Sequence, residues 1–290
     1  MSDVTVIGLG QMGVRIAELL SEAGKSVTVW NRSAAKAAPL AARGIQLAAS
    51  PAAALAASPV TLAILSDDEA VGSILRSEGV ADALAGRILI NLGTSSPDAA
   101  TAFAAQVALA GGRYVDGAIQ AAPSQMGQPD TPVLLSGDRA AYELAEPLLQ
   151  VLAGNLVYLG EAADAVAYMD LATLSYVYGA YAGFLHGARI AEATGIDPLV
   201  YGRLVKDISP SFGAFFQHQG GVIASGDFTV SESPMRISIA AVDRIASTSG
   251  ALGINRELPD LVSGWLDRAA ARGLADEELA ALIKVVRGEE

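Results

Sequence analysis

The chain opens with a β-branched run that leads straight into a glycine-rich turn. Residues 4–7 read Val-Thr-Val-Ile, and a helix-like segment covers residues 14–23. Between them stands Gly8-Leu9-Gly10-Gln11-Met12-Gly13. In such a strand–turn–helix unit the first glycine allows the tight turn, the second lets the backbone approach a pyrophosphate, and the third permits close helix–strand packing. The helix N-terminus adds free N–H groups and the positive end of its dipole. This context predicts a dinucleotide-binding fold rather than an ordinary glycine turn.

Strand signals recur through the first half of the chain, with alanine-rich helical segments between most of them. The further predicted strands are residues 27–30, 60–65, 88–92, 114–116 and 133–136. Such alternation is typical of a parallel, doubly wound sheet. Strand signals stop after residue 159, and residues 164–193 form one long apolar helical pattern that Gly195 and Asp197-Pro198 end. We therefore predict an α/β protein with a Rossmann-type domain over 1–162, an interdomain helix over 163–194 and an all-α domain over 195–290.

Composition narrows the class of function. The chain has 19 Lys and Arg against 31 Asp and Glu, a net charge of −12, which disfavours nucleic-acid binding and suits a cationic or neutral substrate. It has no cysteine and only two histidines, so disulfides, Cys-ligated metals and His-rich metal sites are not expected. The mean hydropathy of +0.39 raises the possibility of a membrane protein. However, the longest apolar stretch, residues 171–185, falls short of the about 20 residues that a span needs. With no signal-peptide pattern at the N-terminus, a cytoplasmic protein is expected.

The long helix predicts an oligomer. A helix that is apolar nearly all round must be buried on most of its faces, and the short C-terminal segment of one subunit is too small to cover it alone. We expect a homodimer in which the C-terminal helices of each subunit wrap around the long helix of the other.

The end of the second strand indicates which dinucleotide binds. NAD-specific proteins usually place Asp or Glu there, about 20 residues after the glycine motif, to hold the ribose diol. This chain instead has Asn31-Arg32-Ser33, with Lys36 one helical turn further on. Arg32 can pair with a 2′-phosphate and Ser33 can donate to it, so NADPH is predicted. The alternative is that Arg32 is a solvated surface charge.

Two later strand ends add candidate cofactor residues. Leu65-Ser66 and Asn91-Leu92-Gly93-Thr94 lie at the carboxyl ends of the third and fourth predicted strands. In open α/β sheets the carboxyl ends of the strands line the ligand crevice. We expect Leu65 and Ser66 near the adenine-side ribose, and Asn91, Gly93 and Thr94 near the nicotinamide.

The long helix carries a candidate reactive face. At about 100° per residue, Asp170, Leu174, Tyr178 and Tyr181 share one broad side, and His186 lies on the opposite side, in a packing or interface position. Tyr181 is equally compatible with a position in the hydrophobic core. Taken alone, Asp170 is also compatible with an acidic residue near the helix N-terminus that the helix dipole favours. The later segment around Phe212 and His218 is aromatic enough to line an apolar pocket.

These motifs resemble the β-hydroxyacid dehydrogenase superfamily: the glycine motif, Gly93-Thr94 at a strand end and the long helix. That superfamily holds the substrate carboxylate with a Ser-Gly-Gly element and uses a lysine on the long helix as acid/base, with an asparagine three or four residues on. Here Gln120-Ala121-Ala122 stands in place of Ser-Gly-Gly, and Asp170 stands at the lysine position. The asparagine positions are Thr173 and Leu174. Loss of the anion site together with reversal of the charge indicates a different substrate.

Over most of its length the chain is similar to bacterial imine reductases, in which Asp or Tyr occupies the former lysine position. The matching segments are residues 6–13, 29–37, 90–97, 114–127, 168–188 and 225–229. The resemblance implies NADPH-dependent hydride transfer to a C=N bond, with Asp170 as the catalytic residue and Tyr178 at the substrate pocket. The further substrate contacts that we expect are Thr94, Gln120, Leu174, Tyr181, Phe212, Met235, Ile237 and Ser238.

Two other functions compete with this interpretation. One is an NADP-dependent hydroxyacid dehydrogenase that has diverged, which needs a substrate-carboxylate anchor and a basic residue; neither stands at the expected position. The other is a cofactor-binding regulatory protein without turnover. A carboxylate among tyrosines favours chemistry over regulation, but only weakly.

Overall fold

The alternation of strands and helices is present in the first of two units of the chain. The computed structural model describes residues 1–288, and the chain divides into two units, Met1–Leu174 and Ser175–Glu290, at a position within the long helix. The strands are β1 (Val4–Ile7), β2 (Val27–Trp30), β3 (Gln46–Leu47), β4 (Val60–Ala63), β5 (Ile88–Asn91), β6 (Arg113–Ile119), β7 (Pro132–Gly137) and β8 (Asn155–Tyr158). The helices are α1 (Gln11–Glu22), α2 (Ala38–Ala41), α3 (Pro51–Ala56), α4 (Asp68–Leu75), α5 (Val80–Leu84), α6 (Pro97–Leu109), α7 (Arg139–Leu152) and the first part of α8 (Ala165–Ala193).

The strands of residues 1–288 form one sheet in the order β3-β2-β1-β4-β5-β6-β7-β8. Its reversal of strand order on either side of β1 is that of a doubly wound fold. The predicted parallel sheet needs one correction, because β7 runs antiparallel to β6. Parallel neighbours need a crossover connection, usually a helix, whereas residues 120–131 contain Pro123, Gly127 and Pro129 and form only a short 3₁₀ turn. The edge strand β3 and the strand β8 were not predicted.

Each face of the sheet is covered by helices. Val4 and Val6 of β1 pack into a core cluster with α1 and α7, while Ile7 faces the opposite cluster, to which α3, α4, α5 and α6 contribute. This follows from the two-residue period of a strand. The unit is therefore a three-layer sandwich whose strand ends are left free at the carboxyl edge.

The second unit is helical, as predicted. Besides the last part of α8 it contains α9 (Pro198–Ser225), α10 (Met235–Ala251), α11 (Glu257–Ala271) and α12 (Ile283–Val286). Helix α8 ends at Ala193, and Gly195 follows with φ +77°, a left-handed conformation that favours glycine. The core of this unit is built from Met235, Leu266, Ala269, Leu274 and Ala281.

A buried carboxylate holds the segment that enters α10. Glu278 is fully buried and accepts hydrogen bonds from the Gln219 amide (3.0 Å) and from the backbone N–H of Ser231 (2.8 Å) and Glu232 (3.2 Å). Burial opposes its charge, but these donors outweigh burial and lower the pKa of Glu278 to about 2. The carboxylate thus has a structural role in anchoring this segment.

Helix α8 exposes much of its apolar surface in the single chain. Tyr176, Val177, Tyr178, Tyr181 and Leu185 are each at least half exposed. The burial expected from the sequence is therefore not achieved within one copy of the chain. None of the helices in residues 1–288 combines the length and apolarity needed to cross a membrane.

Candidate active site

The three motif glycines have different surroundings at the carboxyl end of β1. A Cβ atom on Gly8, which has φ +96°, would lie 2.1 Å from the carbonyl oxygen of Ile64, and one on Gly13 would lie 1.9 Å from the carbonyl oxygen of Gly8. A Cβ atom on Gly10 would meet nothing within 4 Å. The first and third glycines therefore serve the turn and the helix–strand contact. The second leaves open space where a ligand can approach the backbone.

The N-terminus of α1 has the features of an anion-binding site. Its N-cap is Gly10, which supplies no side-chain cap, and its first turn carries no acidic residue. The N–H groups of Gln11 and Met12 are therefore left for a ligand. The predicted cofactor residues Leu9 and Asn31 contact each other instead, since the N–H of Leu9 donates to Asn31 Oδ1 at 3.0 Å. This bond ties the glycine loop to the end of β2.

A cavity of about 1050 Å³ runs along the strand ends beside this loop. It lies next to β1 and β4, where the strand order reverses and where open α/β sheets bind ligands. Its lining includes many of the predicted cofactor residues: Gly8, Leu9, Gly10, Gln11, Met12, Asn31, Arg32, Ser33, Lys36, Leu65 and Ser66. The open space at Gly10, the uncapped helix and this cavity fit a dinucleotide.

Two cations mark one part of the cavity wall. Across residues 1–288 neither Arg32 nor Lys36 forms an ion pair within 4 Å. The pKa of Asp67 is lowered by the Ser66 hydroxyl and the Ala70 N–H, with a smaller contribution from Arg32. Two unpaired cations facing a cavity suit a phosphate group.

A smaller cavity of about 190 Å³ shares Met12, Ile64 and Leu65 with the first. Asp170 lines it together with Gly93 and Thr94. The rest of the lining is apolar: Leu92, Ala118 and Ile119. The half-buried carboxylate on the long helix therefore lies at the strand-end crevice.

The side chain of Gln120 contacts Asp170 directly. Gln120 Nε2 donates to Asp170 Oδ1 at 2.6 Å. The hydroxyl of Thr173 lies 3.1 Å from Gln120 Oε1 and 2.9 Å from the carbonyl oxygen of Asp170. Gln120, expected from the sequence to touch substrate, is thus bonded to the predicted catalytic residue.

A buried polar network that the sequence did not reveal supports the loop at Gly93. The Tyr114 hydroxyl donates to Asp116 Oδ1 at 2.7 Å, and Asn91 Nδ2 donates to the same oxygen at 3.2 Å and to Ser95 Oγ at 2.7 Å. Asn91 Oδ1 accepts from the N–H of Gly93. The prediction that Asn91 binds the cofactor is corrected, because its side chain is fully buried and stabilises the turn at Gly93 by this hydrogen bond. An aspartate in the middle of the buried part of β6 was the available signal.

Asp116 makes the stability of the fold depend on pH. Burial raises the pKa of this carboxyl from 3.8 to about 7. The folded chain therefore keeps a proton that the unfolded chain releases, and the free energy of unfolding falls as the pH rises between these two values. Asp116→Asn retains an acceptor oxygen for Tyr114 and Asn91 but has no proton to lose. From about pH 5 to about pH 7 the wild type is expected to lose on the order of 2 kcal/mol that the variant keeps.

Urea unfolding of both proteins at these two pH values measures the difference. The carboxyls with lowered pKa, among them Glu278, change stability only at more acidic pH and do not interfere. Equal losses in wild type and variant would show that Asp116 is ionised throughout.

The remaining predicted residues belong mostly to the second unit. Tyr178, Tyr181, Phe212 and Ile237 are about half exposed or more, and their approach to Asp170 stays a prediction, as does that of the half-buried Ser238. Leu174, the last residue of the first unit, is half-buried one turn beyond Asp170. Met235 is corrected: it is fully buried in the helical core and packs there with Leu266 and its neighbours, so it does not line a pocket.

Comparisons with known proteins identify both units. Residues 3–160 match the family of the NAD binding domain of 6-phosphogluconate dehydrogenase, and residues 162–288 match the NADPH-dependent reductive aminase-like C-terminal domain. The NADPH-dependent reductive aminase of Aspergillus oryzae is 29% identical, over 97% of this chain and 96% of that protein. Glyoxylate/succinic semialdehyde reductase 2 of Arabidopsis thaliana is 24% identical, over 97% of this chain and 78% of that protein.

A solved structure is similar over the whole length. The reductive aminase from Aspergillus terreus in complex with NADPH and ethyl levulinate has a TM-score of 0.89 and 32% identity, and the match covers 99% of both chains. The chain belongs to the NAD(P)-dependent oxidoreductases in which a 6-phosphogluconate dehydrogenase-type NAD-binding domain is followed by a reductive aminase-like C-terminal domain.

Proposed function

We propose that the protein reduces imines to amines with NADPH and that Asp170 is its catalytic residue. The observation that carries the proposal is the carboxylate of Asp170 in the cavity beside Gly93 and Thr94. A negative charge there suits a cationic C=N substrate and opposes an anionic one.

The chemistry of imine reduction explains why a carboxylate is useful. Hydride attack on a neutral imine builds negative charge on nitrogen, whereas attack on an iminium ion removes a positive charge. Bound NADPH supplies the hydride. Asp170 stabilises the iminium or gives its proton to the nitrogen, and both roles favour the reactive form. A lysine ammonium at this position would repel an iminium by several kcal/mol, to order of magnitude. Tyr178, two helical turns further along α8, is proposed to orient the amine.

The choice of NADPH rests on the cations of the larger cavity. Arg32, Ser33 and Lys36 line it near the end of β2, where NAD-specific proteins place a carboxylate. The A. terreus relative was solved with NADPH. Both observations support binding of the 2′-phosphate by Arg32.

Reduction of an aldehyde or oxidation of a hydroxy acid is the alternative, because a glyoxylate/succinic semialdehyde reductase is also related. Those substrates carry a carboxylate. In the part of the chain that the structure describes, the smaller cavity is lined by no Lys or Arg, and the Gln120 amide that could meet an anion is bonded to Asp170. The imine is therefore favoured.

We also propose that the protein works as a homodimer. The exposed apolar side chains of α8, with Tyr176, Val177 and Leu185 among them, need a cover that a second copy would provide. Light scattering of the dilute protein is expected to give twice the mass of the chain. A monomer would remove this part of the proposal.

A spectrophotometric assay tests the proposed reaction. NADPH consumption is expected with 2-methyl-1-pyrroline. Succinic semialdehyde with NADPH, and 3-hydroxyisobutyrate with NADP, should react at least about a hundredfold more slowly. The carboxylate of either substrate would be repelled by Asp170, which stands where a positive side chain would be needed to bind it. Faster turnover of either carboxylate substrate would favour the alternative.

A further inference from the structure

We infer that Gln120 is a positioning residue that holds Asp170 as an oriented anion, so that the site binds small organic cations such as cyclic iminium and ammonium ions in preference to neutral rings. The inference deepens the proposed function and rests on Asp170 being the reactive group. Gln120 then acts on the protein's own carboxylate and not on the substrate.

The backbone of Gln120 is fixed independently of its side chain. Residue 120 follows directly after β6, and its N–H donates to the carbonyl oxygen of Pro132 at 3.1 Å. The preceding Ile119 pairs with Val133 and lines the smaller cavity. The side chain therefore projects from the rigid end of the sheet, which is a better support for a reactive group than a free loop.

The contact with Asp170 determines which way the amide faces, and the contact with Thr173 supports that orientation. A carboxylate can only accept hydrogen bonds, so the group at 2.6 Å from Asp170 Oδ1 must be the amide N–H and not the amide oxygen. The amide oxygen then faces the Thr173 hydroxyl at 3.1 Å, which can donate to it. Reversing the amide would place two oxygens against each other. The three side chains hold one arrangement.

This arrangement leaves one carboxylate oxygen for a ligand. Within residues 1–288, Asp170 Oδ2 has no hydrogen-bond partner and no cation lies within ion-pair distance of Asp170. The cavity that Asp170 faces also presents the apolar side chains of Leu92 and Ile119, against which a small ring can pack. A small ring with a positive nitrogen can pack against these apolar side chains and also pair with Asp170 Oδ2. A neutral ring can make only the apolar contacts.

Binding of an unreactive cation to the NADPH-loaded protein tests the inference without turnover. By calorimetry, pyrrolidinium is expected to bind the wild type at least about tenfold more tightly than tetrahydrofuran, a neutral ring of the same size. Gln120→Leu is expected to weaken binding of the cation about tenfold and to leave the affinity for tetrahydrofuran and for NADPH within about twofold. Gln128→Leu, the same change at an exposed position of the same unit, should change none of the three affinities.

Thr173 variants keep the test valid if Gln120→Leu fails to fold. Thr173→Val removes the hydroxyl that orients the amide and is expected to weaken cation binding about threefold, whereas Thr173→Ser should restore it. The inference is overturned if the wild type does not prefer the cation, or if the Gln120 and Thr173 variants weaken both ligands equally. A preference for the cation without turnover of 2-methyl-1-pyrroline would instead refute the proposed reaction and leave only the role of Gln120 in cation binding standing.

Discussion

Replacing Asp170 by alanine is expected to lower kcat for reduction of 2-methyl-1-pyrroline by about a thousandfold. The variant loses the only charged side chain that lines the smaller cavity among the described residues, and with it the group that stabilises or protonates the substrate nitrogen. Because the dinucleotide cavity is lined by other residues, the affinity for NADPH should stay within about threefold.

Asp170→Asn separates the charge and acidity of the carboxylate from its size. The amide keeps the size of the side chain but carries no charge and no acidic proton. A loss as large as that of the alanine variant shows that charge or proton matters and not shape. If either variant retains wild-type kcat while its NADPH affinity is intact, Asp170 is not the catalytic residue.

Replacing Arg32 by glutamate is expected to raise the Michaelis constant for NADPH by about a hundredfold. The variant loses charge-assisted hydrogen bonds to the 2′-phosphate, each worth about 1.5–3 kcal/mol, and adds a like charge beside it. The constant for NADH should change by no more than about threefold, since NADH has no phosphate at that position. Initial rates with both cofactors at saturating imine measure the two effects.

The comparison between the cofactors is its own control for misfolding. A general loss of structure would raise both constants together. Equal increases for NADPH and NADH would mean that Arg32 is a solvated surface charge and that the phosphate is bound elsewhere.

Local patterns predicted much of the first unit, because its strands and turns are encoded by adjacent residues. The run before Gly8 became β1 and the glycine motif became the α1 turn, each with the expected conformation. The antiparallel β7 was missed because its direction depends on how the chain crosses residues 120–131, and the apolar pattern of a strand is the same in either direction. The edge strand β3 has only two residues, which are too few to show the alternation of apolar and polar side chains that marks a strand.

Two charged residues of the candidate site were predicted: Arg32 from its place at the end of the second strand, and Asp170 from the resemblance to imine reductases. Arg32 and Asp170 line the expected cavities, and their charges were visible in the sequence. The bond between Gln120 and Asp170 joins residues far apart in the chain, so it required the fold. Met235 was expected at the substrate because its segment resembles a substrate-lining stretch of the family. A resemblance of a segment does not show which of its side chains pack into the core, which is why Met235 was placed wrongly.

Transfer of deuterium from labelled NADPH tests the central claim most directly. The protein is incubated with 2-methyl-1-pyrroline and NADPH carrying deuterium at C4 of the nicotinamide, with each C4 epimer used in turn, and the amine product is examined by mass spectrometry and NMR. We predict that one epimer places a single deuterium on the former imine carbon of 2-methylpyrrolidine. Product without deuterium from either epimer, or no product while an aldehyde or keto acid is labelled instead, would contradict hydride delivery to a C=N bond.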